Sequence, residues 1–198
     1  MQVVPDSKRL IALLALALTL AIGVGAAWAL ARGAADPPRA PVLMLNENRQ
    51  DRLVPAATLN GVRLYHLADA PIIDSLPFTI ELEAVNEGEP RSAWGVWITP
   101  GRLESGDGLP IMISDQGYIL SPLDSTALEQ AQFMHISAAH NRLTLHVDAE
   151  GNMTLRVNDE VVRALDRHVT LPLDYGVALL GNVRLQAFSA RVYTTDEL

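Results

Sequence analysis

Twenty-two consecutive uncharged, mostly apolar residues, Leu10 to Ala31 (LIALLALALTLAIGVGAAWALA), constrain this chain more than any other feature. As an α-helix rising 1.5 Å per residue, the run reaches about 33 Å, enough to cross a hydrocarbon core of roughly 30 Å. The sequence therefore predicts one transmembrane helix over 10–31, in contact with membrane lipid. A secretory signal is the competing reading, because Lys8 and Arg9 supply a basic start. AWA (27–29), ALA (29–31) and GAA (33–35) each resemble a cleavage site. Signal cores run about 7–15 apolar residues, and this run is longer, so an uncleaved signal-anchor is the expectation. Without cysteine, the chain cannot carry a lipoprotein's acylated residue.

Charge divides the chain. Residues 1–39 carry four basic against two acidic side chains; the remaining 159 carry eleven arginines against 21 acidic residues. An acidic body of this kind argues against nucleic acid, which demands a basic footprint. The slight basic excess before the helix favours a short cytoplasmic tail over 1–9 and a C-terminal domain outside the cytoplasm, at the cell membrane. The absence of cysteine excludes disulfides, thiol catalysis and Cys-ligated zinc. Within the helix, Ala17, Ala21, Gly25 and Ala29 recur every four residues, a small-residue row that lets membrane helices pack closely. Such a row also arises from alanine-rich composition alone.

Residues 32–58 read as a proline-containing linker, with three prolines between Arg32 and Pro41 opposing a continued helix. The role of 42–58 stays open between a tether and an extra strand. From Leu59 the pattern turns to short alternating runs separated by turn residues, the sign of a β-sandwich or barrel. Strands are predicted over 61–67, 78–85, 92–99, 111–114, 117–120, 133–138, 142–147, 153–157, 177–180 and 183–193. Residues 125–132 suggest a short helical turn. In the run from Phe78, Phe78, Ile80, Leu82 and Ala84 point inward and Thr79, Glu81 and Glu83 outward. Trp94, Val96 and Ile98 share one face of the next run, and Trp97 takes the other. Asn158-Asp159 suits a tight turn, since both residue types tolerate positive φ.

From His140, HNRLTLHVDAEGNMTLRVNDEVV resembles the back half of a concanavalin A-like (LamG/laminarinase-type) jelly-roll domain. Asn141, Leu143, Gly151, Leu155, Val157, Asn158 and Val162 match the family's N-x-L-x-V … G-x-x-T/L-x-V-N-G-x-x-V run. Asp159 stands where a glycine is usual. SAWGVWI is similar to the family's central strand, the Ser114–Tyr118 turn to its next hairpin, and residues 176–193 to its closing strands. The resemblance implies an all-β, antiparallel jelly-roll sandwich over 59–198, behind the transmembrane α-helix. That fold hosts lectins, glycosidases, receptor modules and inert spacers, so function rests on a site.

Three site readings follow. Glu81 and Glu83 lie about 6.5–7 Å apart along one strand face, and paired carboxylates serve glycosidases. The laminarinase-type E-x-D-x-x-E string is incomplete, however, because its third position holds Asn86. A solvated strand face in an acidic protein explains the pair as well. Trp97, pointing out beside those carboxylates, offers a platform on which a sugar ring stacks; the alternative packs it under a loop such as 100–110 or against a protein partner. Glu104 and Asp107 sit on a loop of the kind that holds Ca²⁺ in sandwich lectins, but two scattered carboxylates do not make a site. The five histidines show no metal-ligand spacing. Asn152-Met-Thr154 matches a glycosylation sequon.

The first expectation is thus a membrane-anchored, non-catalytic module that binds or assembles with protein partners, needing no cofactor and no metal. Cell-surface carbohydrate binding through Trp97, Glu81 and Glu83 is the alternative. A glycoside hydrolase comes third.

Overall fold

The computed structural model describes residues 7–31, 39–103, 108–121, 129–133 and 136–195. These fall into two units, divided at Pro37/Pro38.

The first unit holds one helix, α1 (Ser7–Ala31), of 25 residues. Its described large apolar side chains, from Ile11 through Leu18 to Val24, are 57–68% exposed. Ala17, Ala21 and Gly25 are exposed too, and a Cβ added at Gly25 meets nothing within 4 Å. The side chain of Ala29 lies outside the described residues. Side chains are described without a break only over 13–27, and among the described residues no helix is long and apolar enough to cross a membrane.

The second unit is a two-sheet sandwich built of β1 (Val42–Glu47), β2 (Leu53–Leu59), β3 (Val62–Leu67), β4 (Phe78–Asn86), β5 (Ala93–Pro100), β6 (Leu109–Ser114), β7 (Tyr118–Ser121), β8 (Glu129–Gln132), β9 (Asn141–Val147), β10 (Asn152–Val157), β11 (Glu160–His168), β12 (Leu173–Leu180) and β13 (Leu185–Thr194). One sheet runs β1-β13-β4-β9-β10-β11 and the other β2-β3-β12-β5-β6-β7-β8. Every neighbouring pair of strands is antiparallel.

Period-two alternation builds the core. Phe78, Ile80, Leu82 and Ala84 of β4 join Leu143, Leu145 and Val147 of β9 on the inner face of the first sheet. They meet Trp94, Val96 and Ile98 of β5 and Ile111 and Ile113 of β6 from the second. Trp94 and Phe78 are completely buried. Burying each such side chain is worth about 1.5–3 kcal/mol.

Four expectations change. Residues 42–58 are not a linker: β1 and β2 lie there, as edge strands of the two sheets. The compact domain therefore starts near Pro38 rather than Leu59. Pro55 is tolerated in β2 because an edge strand has one unpaired side, and a bulge follows it at Pro55/Ala57. Residues 129–132 extend as β8 beside β7, not as a helical turn. The strand expected over 133–138 is absent at Phe133 and at residues 136–138.

The hairpin turns follow from residue type. Asn60-Gly61 joins β2 to β3 and Asn158-Asp159 joins β10 to β11, all four at positive φ. That is the geometry two-residue hairpins favour. Between β9 and β10, Asp148 Oδ1 accepts the N–H groups of Glu150 (3.0 Å) and Asn152 (2.9 Å). With the Asn152 side chain, these bonds hold the Asp148 carboxyl below the usual range.

Candidate functional site

The outer face of the first sheet is polar, and sequence alternation dictates it. The core-facing residues of β4, β9, β10 and β13 leave Thr79, Glu81 and Glu83, then Arg142, Thr144 and His146, then Thr154 and Arg156, then Ser189, Arg191 and Tyr193 pointing away. Register aligns them into cross-strand rows. Arg191 lies opposite Glu81, Glu81 opposite Thr144, and Thr144 opposite Arg156. A second row sets Tyr193 beside Thr79, His146 and Thr154.

Glu81 and Glu83 do share this face, as expected, but Glu81 is only 2% exposed. Long arginine side chains cover the pair. Arg191 bridges the two carboxylates, at 3.7 Å from Glu81 and 3.6 Å from Glu83. Arg142 Nε sits 3.2 Å from Glu83, and its Nη2 3.3 Å from Asp159. Arg39, just before β1, pairs with Glu81 and places its guanidinium 4.8 Å from the centre of the Tyr193 ring. Ala40 donates its N–H to Thr79 Oγ1 at 3.1 Å. The segment entering the sandwich is thereby pinned across one end of this face.

Thr79 Oγ1 also lies 2.9 Å from His146 Nδ1. Burial pushes the His146 pKa down, Asp148 opposes the shift and Arg156 adds to it. The ring is therefore neutral at pH 7. Having accepted from Ala40, the Thr79 hydroxyl can donate its own proton to Nδ1.

Among the described residues, Glu81 Oε2, Arg142 Nε and Arg156 Nε are buried without an aligned hydrogen-bond partner, the first two being held by ion pairs to Arg191 and Glu83 instead. Forked guanidinium donors, carboxylate acceptors and a tyrosine ring make a surface suited to hydroxyl-rich ligands.

Trp97 is not part of it. It points out of β5, as alternation requires, but β5 belongs to the other sheet, so Trp97 is not beside Glu81 and Glu83. Nor is it a platform, being 0% exposed in a second apolar cluster with Val62, Leu64, Ala93, Met112 and Ala178. Its Nε1–H donates to the Tyr65 carbonyl at 3.0 Å, and the His66 ring meets it edge-on at 5.1 Å. Gly108 and Leu103 of the following loop pack over Leu64 and Trp97. This matches the alternative that put Trp97 under the 100–110 loop.

Glu104 and Asp107 lie outside the described residues. Among the described residues no three His, Asp or Glu side chains converge where a metal ion could be held. The asparagines that carried the family resemblance are structural. Asn158 donates from Nδ2 to Asn141 Oδ1 (3.0 Å) and accepts the Arg142 N–H (2.8 Å). Asn141 Nδ2 in turn donates to the Ser137 carbonyl (2.7 Å).

The residues that sequence reading missed are Arg39, Thr79, Arg142, His146, Arg191 and Tyr193. Each was legible as outward-facing or polar. What the sequence lacks is the strand order that sets β13 beside β4, about 110 residues apart along the chain.

No family model matches this chain, and no curated protein matches it. Solved structures do. The carbohydrate-binding module CBM40 of the Ruminococcus gnavus IT-sialidase, solved with α2,6-sialyllactose, has a TM-score of 0.50 at 14% identity, covering 79% of this chain and 94% of the module. The carbohydrate-binding module CBM66 from Bacillus subtilis follows at a TM-score of 0.45 and 10% identity, over 68% of this chain and 80% of that one. The catalytic domain of LamA from Zobellia galactanivorans reaches 0.41 at 9% identity, over 67% and 68%. At such identities the likeness is one of fold: the second unit is a two-sheet antiparallel β-sandwich of the jelly-roll kind, consistent with a concanavalin A-like domain.

Proposed function

We propose that this chain is a non-catalytic carbohydrate-binding module, displayed outside the cytoplasm by its N-terminal helix. The observation that carries the reading is the outer face of the first sheet, where Arg142, Arg191, Glu81, Glu83 and Tyr193 converge. The fold neighbour solved with sialyllactose supports the same reading. It favours the carbohydrate alternative over a protein-assembly role, for which no comparable observation speaks.

The non-catalytic reading draws on the carboxylates. Glycosidase acids flank an open bond-cleaving site, whereas Glu81 is covered and both glutamates are ion-paired with arginine. Anchoring draws on α1, whose exposed leucines, isoleucines and valine each recover about 1.5–3 kcal/mol when a lipid phase covers them. Lys8 and Arg9, in the first turn of α1 ahead of its apolar run, support the outward orientation.

The test uses the full chain in lipid nanodiscs on a glycan array. Saturable binding that falls at least tenfold in Arg191→Ala and Glu83→Gln is expected. No glycan signal, or binding indifferent to both variants, would refute the reading. Alkaline extraction of native membranes tests the anchor, which predicts protein in the pellet; release to the supernatant would contradict it.

A further inference from the structure

A second recess lies on the other sheet, away from the charged face just described. Arg91, Ser114, Gln116, Tyr118 and Leu120 line it, around a cavity of about 230 Å³. Ser114 of β6 and Tyr118 of β7 are paired across the hairpin, and Leu120 pairs with Met112. Met112 belongs to the apolar cluster on the outer side of the sheet, with Leu120 packed against it. The recess therefore opens on the outer side. Arg91 reaches it from the connection between β4 and β5.

Two features make this a prepared site. The first is the Arg91 guanidinium. Among the described residues, Arg39, Arg49, Arg52, Arg142 and Arg191 are held by carboxylates and Arg63 and Arg156 by backbone carbonyls. Arg91, like Arg102 and Arg184, is exposed and has no such partner among them, and of these three Arg91 alone lines this recess. An unpaired planar fork beside a cavity matches a carboxylate in two parallel hydrogen bonds.

The second is the anchoring of the two turns that carry the lining. Asn86 donates to Ser92 Oγ (2.9 Å) and accepts the N–H groups of Gly88 (3.0 Å) and Arg184 (3.1 Å). Ser92 closes back on the Glu89 carbonyl through its own N–H (2.9 Å) and hydroxyl (2.6 Å), bracketing Arg91. Asp115, at the start of the β6–β7 turn, is half-buried. That turn is closed by Gly117 N–H on the Ser114 carbonyl (2.9 Å), with Gly117 at φ +87. Each turn is thus held by its own hydrogen bonds, and Asp115 itself does not line the recess.

We propose that this recess binds an acidic monosaccharide unit, a six-membered sugar ring bearing one carboxylate. Arg91 takes the carboxylate, the Tyr118 ring lies against a face of the sugar, and Ser114 Oγ and the Gln116 amide bond its hydroxyls. The size favours a single ring, since the cavity is smaller than the roughly 300–1,000 Å³ of pockets for larger ligands. The single fork favours one negative charge. Polyanions are disfavoured by the acidic body, with 21 acidic residues against eleven arginines beyond residue 39. The proposal goes beyond the carbohydrate reading of the first sheet and does not rest on it, because the two sites share no residue.

The experiment titrates the full chain in nanodiscs with D-glucuronate and, separately, with D-glucose, read by saturation-transfer NMR. The two sugars differ only in a carboxylate against a hydroxymethyl group. Saturable glucuronate binding, at least tenfold stronger than glucose binding, is expected. Arg91→Ala should weaken it at least tenfold, Arg91→Lys less, and Arg191→Ala not at all. Arg91→Ala should melt at the parent temperature, since Arg91 holds nothing in place. Equal binding of the two sugars, no saturable glucuronate binding, or binding unchanged in Arg91→Ala overturns the proposal. Loss in Arg191→Ala but not in Arg91→Ala would assign the acidic sugar to the first sheet instead.

Discussion

Trp97 crosses the second sheet over Gly176, so that its indole N–H, on β5, reaches the Tyr65 carbonyl on β3 at 3.0 Å. Gly176 lies between those strands on β12, paired with Trp97 on one side and His66 on the other. A Cβ there would stand 2.0 Å from the Tyr65 oxygen and 2.7 Å from Trp97 Nε1. Neither atom can yield, because one is backbone and the other is held in a buried ring. Gly176→Ala is therefore expected to destabilise the sandwich by at least about 2 kcal/mol, and Trp97→Ala by about 3–5 kcal/mol. Thermal or urea unfolding checks both. A Trp97→Ala protein as stable as the parent would mean that the tryptophan is not buried as described.

Tyr175 gives the opposite sign. It is 1% exposed, and its hydroxyl has no hydrogen-bond partner among the described residues. Burial, with the nearby Asp174 charge, pushes its pKa far up, so the group stays a neutral phenol. An unsatisfied buried hydroxyl costs about 1–3 kcal/mol. Tyr175→Phe removes the hydroxyl and keeps the ring, and should raise the melting temperature or leave it unchanged. A clear drop would reveal a partner for the hydroxyl.

His146 predicts a pH dependence. Its pKa in the folded state is depressed below the ordinary 6.5, chiefly by burial. The unfolded chain then binds the proton more readily than the folded one. The stability contribution is complete above the ordinary histidine range and is lost as pH falls through it toward the folded value. His146→Gln should flatten the decline in unfolding free energy between about pH 7 and pH 5 relative to the parent. Identical slopes would assign the decline to other groups.

Asn158 separates turn geometry from side-chain bonding. Its φ of +51 suits glycine as well as asparagine. Asn158→Gly therefore keeps the β10–β11 turn but loses the bonds to Asn141 and to the Arg142 N–H. A loss of about 1–3 kcal/mol is expected, because the Arg142 N–H loses its acceptor, while Asn141 Oδ1 keeps only the Ser137 N–H (2.8 Å). Asp159→Gly, at φ +71, should cost less than about 1 kcal/mol, since a partly exposed ion pair to Arg142 is all it removes. Urea titration of the two variants side by side checks the order.

Most strands from β3 onward were legible because alternation is local, β8 and β11 (Glu160–His168) being the exceptions. Phe78 to Val85 reads inward and outward from its own residue types, and β4 follows that reading. The turns at Asn60-Gly61 and Asn158-Asp159 were legible for the same reason. β1 and β2 were not, because Pro41 and Pro55 punctuate short runs whose partners, β13 and β3, are needed to make them strands. β8 likewise has no clear alternation and forms beside β7.

The sites divide along the same line. By itself, the order of residues determined the uncharged apolar run over 10–31, the acidic body, the parity of every clean strand and the outward direction of Glu81, Glu83 and Trp97. Only the tertiary structure decided what lies outside those faces. Parity says which side of a strand a residue takes, and strand order together with covering loops says whether that side meets water, a neighbour or a loop. Hence Glu81 pointed outward and was covered by Arg39 and Arg191, while Trp97 pointed outward and was closed under Leu103 and Gly108 on the opposite sheet.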